Sequence, residues 1–432
     1  MSKIAIIGAG YAGMSAAWDL RNAGHDVTLY EADDHVGGLA SGFREPSWNW
    51  SVEKFYHHWF ASDAAMLGLM DDLGLREKVL FPRPYTVMYH KERFYPLDSV
   101  LKAILFPGLG WGVDKIRFGL VGLFLRLTTS WQELEKYSVD EWMRKWVGER
   151  VYKLMWEPLV VGKFGEKYAK QVNMAWMWAR LHARTTRLGT FEGGFQAFSD
   201  QFAQKLIEHG VTIRLGTPVT RVERDSASGL LTLATPSGVE QADQILITLS
   251  PAIAAKMVPS LPASYLQGLL NLKSMGAVVL VLALKEKLSR EGYYWYNIPK
   301  SAGFPFLAVV EHTNFVPPEH FGGDHIVYVG DYLEPTHEHF SMSAEELLAK
   351  FAPHLKKFNP NFEPGWVKKA WVFRTAYAQP VPLVNHSRNI PALKTPIDGL
   401  FLASMSQVYP WDRGTNFAVE IGRRVAREML EP

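Results

Sequence analysis

Gly8, Gly10 and Gly13 are spaced G-x-G-x-x-G, and an acid, Glu31, follows about 20 residues downstream. Glycines at these positions open a loop to a pyrophosphate. Gly8 permits a tight turn, Gly10 removes the side chain that would block the phosphates, and Gly13 lets a helix pack closely on a strand. The phosphates would then lie at a helix N-terminus, where unpaired amides face them. A carboxylate at position 31 accepts hydrogen bonds from ribose hydroxyls and repels a ribose phosphate. The chemistry therefore points to FAD or NAD and away from NADP.

The flanking residues supply the elements that such a loop needs. Lys3 to Gly8 (KIAIIG) reads as a short buried strand, Ala16, Ala17 and Leu20 recur at helical spacing, and Gly24 ends that helix. Asp26 to Glu31 (DVTLYE) alternates as a second strand, which completes a βαβ unit. The chain then reaches Gly37 and Gly38 in DDHVGGLAS and loses the strand–helix alternation that a nicotinamide dehydrogenase would continue. Strand-like runs return at Val211 to Leu215, Gln244 to Leu249 and Leu400 to Ala403, so the cofactor domain is expected to be discontinuous. No second fingerprint follows a strand, because Gly108 to Gly112 (GLGWG) comes after Phe106 and Pro107. A flavin that takes electrons only from its substrate suits this better than a separate nicotinamide site.

The 432 residues suit two or more intertwined domains. Hydrophobic residues at 47% and charged residues at 21% exclude intrinsic disorder. A formal charge of +2 gives no field to hold nucleic acid, and none is expected as a partner. The absence of cysteine excludes disulfides, thiolate metal sites, a cysteine nucleophile and a cysteinyl flavin link, so the expected FAD is noncovalent. His337, Glu338 and His339 lack the i, i+4 spacing of a helical zinc site and follow Pro335 in a turn, so no metal site is expected. Met1 to Gly8 lacks the pattern of a signal peptide. The most apolar stretch, Val100 to Trp131, is broken by Lys102, Asp114, Lys115, Arg117 and Arg126, so no spanning helix is expected. It reads either as buried helices around a substrate cavity or as an amphipathic stretch on a membrane surface. The expected location is cytoplasmic, peripheral to the inner face of a membrane if residues 100–131 touch lipid.

Three segments, GAGYAG to VGGLAS, Glu192 to Leu206 (EGGFQAFSDQFAQKL) and Gly399 to Ala426 with LASMSQVYPWDRGTNFAVEIGRRVA, resemble the FAD-dependent amine oxidoreductase superfamily. The likeness is nearest to protoporphyrinogen-oxidase-like flavoproteins, with UDP-galactopyranose mutases more distant. It implies an α/β fold: a Rossmann-type FAD-binding domain from residues 1–60, 190–255 and 390–432, with an inserted mixed α+β substrate domain from residues 61–189 and 256–389. It places Tyr11, Ala12, Ala32, Gly37, Gly38, Leu39, Val219 and Ser404 at the FAD beside Gly8, Gly10, Gly13 and Glu31, with Val219 at the adenine. By the same likeness, Gly414, Thr415, Asn416 and Phe417 begin a helix whose amides face the flavin ring and stabilise negative charge there. His35 and Leu39 stand where relatives often carry arginines, and Ser404 replaces a glycine near the pyrophosphate.

The resemblance also brings Glu53 to Phe60 (EKFYHHWF) over the isoalloxazine, which makes His57 and His58 candidates for proton transfer while hydride leaves for flavin N5. One of the two is equally suited to a structural hydrogen bond. Arg413 could hold a carboxylate bidentately or pair with Asp412 or another nearby acid. Tyr377 and Gln379 lie where relatives bring a strand end to the flavin, or pack there. Trp48, Trp50, Tyr56, Trp59, Tyr85, Tyr89 and Tyr95 suit a flat or elongated apolar ligand, or a core. Phe195, Phe198, Phe202 and Leu206 step as a buried helical stripe, and Ser138 and Ser343 carry capping-box patterns. Strands are expected at Met275 to Leu284, Tyr293 to Tyr296, Phe306 to Val310 and Ile326 to Gly330. The expected function is an FAD-dependent oxidoreductase, of oxidase or desaturase type, acting on an apolar or amine-type small molecule. The alternatives are a redox-neutral, mutase-like flavoenzyme and a non-catalytic escort-type binding protein of the same fold.

Overall fold

The first βαβ unit forms where its glycines and apolar residues require it. In the computed structural model, which describes residues 1–110, 112–183 and 185–431, β1 spans Lys3–Ile7, α1 Tyr11–Asn22 and β2 Asp26–Tyr30. Both faces of β1 are buried, Ile4 and Ile6 in one core and Ala5 and Ile7 in another, which explains an apolar run without alternation. Five parallel strands form the sheet, in the order Thr212–Arg214, β2, β1, Gln244–Ile247, Leu400–Leu402. Strands from three separated stretches of chain thus end on one edge, and the order reverses at β1. That edge is where doubly wound sheets bind ligands.

Close helix packing fixes this edge. A Cβ on Gly13 would sit 2.0 Å from the Gly8 carbonyl oxygen, and one on Gly422 would sit 2.3 Å from that of Ala12. Gly13 therefore seats α1 on its own loop, and Gly422 seats the last helix, Thr415–Leu430, on α1. The helix Phe195–Glu208 buries Phe195, Phe198, Phe202 and Leu206 in the same core, as its spacing implies.

A second, mixed sheet has seven strands, in the order Val367–Pro380, Ser274–Leu284, His325–Leu333, Ala308–Glu311, Trp295–Asn297, Thr86–His90, Arg93–Pro96. Its four expected strands form. The 14-residue strand Val367–Pro380 and the hairpin Thr86–Pro96 were not marked by apolar alternation, and neither was the small meander of Arg221–Arg224, Leu231–Thr235 and Gly238–Ala242. Ser343 and Glu346 form a full capping box at the helix Ala344–Leu355, while Ser138 accepts from the Glu141 amide at Val139–Val147. Most of residues 100–183 is helical. Trp111, part of the apolar stretch and of GLGWG, lies outside the described residues. Among the described residues no helix is long and apolar enough to cross a membrane.

The aromatic group that suited a ligand wall or a core is dispersed among separate cores. Trp59 enters the core around α1, Tyr89 the core under the helix Ala344–Leu355, and Trp48 a third core with Phe321 and Tyr328. Of residues 43–60, Phe43, Trp48, Trp50, Val52, Tyr56 and Phe60 pack in that third core, and Trp59 alone enters the core around α1.

Candidate flavin site and its polar cluster

The glycine loop, Glu31 and the Gly37–Gly38 turn meet at the edge of the parallel sheet. Gly8 has φ +105°, which favours glycine, and α1 starts directly after Gly10. The Glu31 carboxylate accepts from the Ala9 amide at 2.8 Å and the Asp33 amide at 3.1 Å, and so ties the end of β2 to the loop. The Gly37 amide donates to the Ala9 carbonyl at 3.0 Å, and a Cβ on Gly38 would lie 3.4 Å from Gly10 Cα. In front of Gly10 the space is open, with no atom within 4 Å of a Cβ built there. Open space before a helix N-terminus, with a carboxylate at the neighbouring strand end, fits a dinucleotide. Tyr11 is buried and bonded to Ser199 at 2.9 Å, and Ala12 carries the carbonyl that packs on the last helix. Ala32 and Leu39 lie exposed on the rim.

The remaining expected cofactor residues flank that cradle. Thr217 donates its amide to the Glu31 carbonyl at 2.7 Å, and this brings buried Val219 beside the Tyr30 core. Ser404 is buried after the last parallel strand and forms a capping box with Gln407. Gly414 caps the last helix. Thr415 accepts from the Trp59 indole at 2.9 Å, and Asn416 accepts from the Met66 amide at 3.0 Å. With those side chains engaged, the first-turn amides are the groups that the helix offers to a ligand. Phe417 stacks on Trp411 at 5.5 Å, and Trp411 stacks on Trp178 at 5.2 Å. His35 takes a proton donor from Lys54 at 2.9 Å and donates to Asp34 at 2.7 Å, so a lysine stands where an arginine is absent.

The two histidines face different surroundings. His57 lies 5.9 Å from the Phe195 ring and places Nδ1 2.6 Å from the Phe55 carbonyl. That carbonyl can only accept, so the proton is on Nδ1 and Nε2 carries the lone pair. Burial lowers this imidazole to about 4, and the positive charge of Arg413 adds to the effect. His58 instead lies among the edges of Phe60, Tyr294 and Trp295. Glu53, at the start of the segment, is buried. It accepts from the Phe195 amide at 3.1 Å and the Tyr328 hydroxyl at 3.3 Å, and burial raises it to about 7.

The Arg413 amide donates to Asp412 Oδ1 at 3.0 Å, but its guanidinium does not form the alternative pair with that carboxylate. Its guanidinium donates to Gln379 Oε1 at 2.9 Å and to the Tyr332 hydroxyl, and its Cζ lies 5.0 Å from the Tyr332 ring centre. Asp412 is paired with Arg180 at 2.7 Å and also accepts from the Trp176 indole and the Gln379 amide. Lys163, only 8% exposed, donates to the same Gln379 oxygen at 3.1 Å and lies 4.9 Å from the Tyr332 ring centre. Burial lowers Lys163 well below its ordinary value, with Arg180 and Arg413 adding to the effect, and burial lowers Arg413 to about 10. Burial pushes Asp412 up, yet Lys163 and Arg180 outweigh it and hold the carboxyl below its usual range. Tyr377 sits nearby with its hydroxyl 2.8 Å from both the Ser406 amide and Ser406 Oγ, and burial raises it to about 12. It braces the 405–407 turn.

Lys163, Arg180, Tyr332 and Glu53 were not marked by the sequence. Lys163 carries the one available signal: it lies three residues after buried Val160, on the inward face of the helix Glu157–Ala169.

Residues 11–430 match the flavin-containing amine oxidoreductase family. The chain is 22% identical to the flavin-containing amine oxidase A of Sus scrofa over 460 residues, covering all of this chain and 85% of that protein. It is 28% identical over 157 residues to 15-cis-phytoene desaturase of Synechococcus elongatus, covering a third (33%) of each. An oxidoreductase from Methanosarcina mazei superposes with a TM-score of 0.74 at 18% identity, covering 98% of this chain and 100% of that one. The match over almost the whole chain, with the glycine cradle in place, makes this protein a member of the flavin-containing amine oxidoreductase family.

Proposed function

We propose that the protein is an FAD-dependent oxidoreductase that binds its flavin noncovalently and acts on a small, largely apolar molecule carrying an anionic group. When bound, the flavin supplies the acceptor for a hydride. Gly8, Gly10, Gly13 and Glu31 hold the dinucleotide, and the amides of Thr415 to Phe417 offset negative charge beside it. His57, neutral with its lone pair on Nε2, takes the proton that the substrate must lose. The observation that carries the substrate reading is the buried polar cluster. Arg180 pairs with Asp412, while Lys163 and Arg413 donate to Gln379 and lie over the Tyr332 ring. Buried charges persist when paired, so an excess of positive charge favours an anionic ligand group and repels an ammonium.

The test is anaerobic mixing of the flavin-loaded protein with matched apolar acids, their methyl esters and amines, following loss of the yellow flavin band. Acids are expected to reduce the flavin at least about tenfold faster than their esters, the effect of one charge-assisted contact. Reduction by amines with no response to acids would overturn the substrate reading. The same cluster also suits a diphosphate, as a redox-neutral, mutase-like flavoenzyme would need. Binding of a sugar nucleotide without net flavin reduction would favour that second reading.

A further inference from the structure

The helix Val113–Leu127 turns apolar residues outward. Val113, Ile116, Leu120, Leu123, Phe124 and Leu127 are between 49% and 70% exposed, and they recur at the three- and four-residue steps of one helix face. The opposite face does the ordinary work of packing, with Leu125 fully buried and Phe118 and Val121 against the same core. The adjoining helix Val100–Leu105 adds Leu101 and Leu105, which are 66% and 60% exposed. Soluble surfaces carry scattered apolar residues, whereas a continuous stripe of this kind marks an interaction face.

Charge indicates what covers it. At about 100° per residue, Arg117 lies along one border of the stripe, and on the other side Arg126 and Lys115 follow beyond Gly119. Two further cations stand close by, Lys102 paired with Asp98 at 2.9 Å and Arg150 paired with Asp114 at 2.5 Å. An apolar stripe bordered by basic side chains is the pattern of a helix lying in a lipid interface, with its apolar side in the acyl boundary and its cations at the headgroups. The helix is about 22 Å long at 1.5 Å per residue, too short to span a bilayer. A symmetric contact between two copies would bring basic borders together, which like-charge repulsion opposes.

We propose that the helix Val113–Leu127, with Leu101 and Leu105 beside it, docks the protein in the plane of a membrane leaflet that carries anionic lipid. The helix and the polar cluster share one core. That core holds Trp178 and Tyr332, and Trp178 donates to the Thr128 carbonyl at 2.8 Å while stacking on Trp411. This inference does not depend on the reaction proposed above.

Co-sedimentation of the full chain with vesicles tests it. The wild-type protein should pellet with mixed phosphatidylcholine–phosphatidylglycerol vesicles and bind pure phosphatidylcholine several-fold less. The triple variant Leu120→Ser, Leu123→Ser, Leu127→Ser, altered only at exposed positions, should keep its flavin and unfolding temperature and lose at least about tenfold in vesicle binding. Failure of the wild type to pellet would overturn the proposal. So would a wild-type dimer that becomes monomeric in the variant and ignores vesicles, since a second copy would then be the occupant. Equal binding by wild type and variant would also reject this face.

Discussion

Lys163 and Arg413, 250 residues apart in sequence, donate to one oxygen, Oε1 of Gln379, at 3.1 Å and 2.9 Å. That arrangement orients the Gln379 amide, with its nitrogen 3.2 Å from Asp412 Oδ1. With two cations on one neutral acceptor and Arg180 beside them, Asp412, which pairs with Arg180 and is held ionised by Lys163 and Arg180, is the carboxylate among the described residues that compensates the group.

Replacing that carboxylate should therefore be costly. Asp412→Asn is expected to lower the unfolding free energy by about 3–5 kcal/mol, the usual penalty for leaving buried charge unpaired. Lys163→Met should be neutral or stabilising, because it removes a cation whose burial opposes its charged form. Combined, the two should recover at least about 1 kcal/mol relative to additivity. Denaturant unfolding of the four proteins measures this cycle. An Asp412→Asn protein within about 0.5 kcal/mol of wild type would refute the charge argument.

His57 is held neutral down to about pH 4. As the proton acceptor, it should give flavin reduction by a reacting substrate an acid limb near pH 4, well below that of an ordinary histidine. His57→Ala should keep FAD and lose about 100-fold to 10,000-fold in that step, the range for a positioned base. His58→Ala should stay near wild type. A limb near 6.5, or the larger loss in His58→Ala, would move the role away from His57.

Glu53 supplies a stability signature with a definite sign. Its carboxyl is raised from 4.5 to about 7 in the folded protein. Between those values the folded state binds more protons than the unfolded state, so its contribution falls as pH rises and is fully lost above about 7. Glu53→Gln should remove this slope. Wild type is expected to lose up to about 3 kcal/mol relative to the variant between pH 4 and pH 8. Parallel pH profiles of the two proteins would contradict the assignment.

The cofactor cradle was readable because its chemistry is local. Gly8, Gly10 and Gly13 lie within one turn, and Glu31 follows a single helix and strand. The cluster at Gln379 was opaque for the opposite reason. Its members come from two helices, two strands and the loop before the last helix, and Lys163 and Arg180 look like ordinary helix charges until the fold buries them. Arg413 and Gln379 were marked singly, but neither their contact nor Tyr332 was, because Asp412 is claimed by Arg180 from the helix Met174–His182. The aromatics of residues 48–95 left a ligand wall and a core equally open, because composition cannot tell the two apart; the fold spreads them over separate cores.

The central claim, a noncovalent FAD held by the glycine loop, is tested most directly by releasing and weighing the bound nucleotide. Heat or acid treatment of the purified protein should free unmodified FAD at about one per chain, as one dinucleotide loop implies. Gly10→Val should fold with unchanged circular dichroism and yield none, because the space before Gly10 is open to protein yet needed for phosphate. Gly13→Ala should instead disturb the fold itself, since its Cβ would meet the Gly8 carbonyl at 2.0 Å. Recovery of NADP, of no nucleotide after reconstitution with FAD, or of full FAD from Gly10→Val would contradict the account.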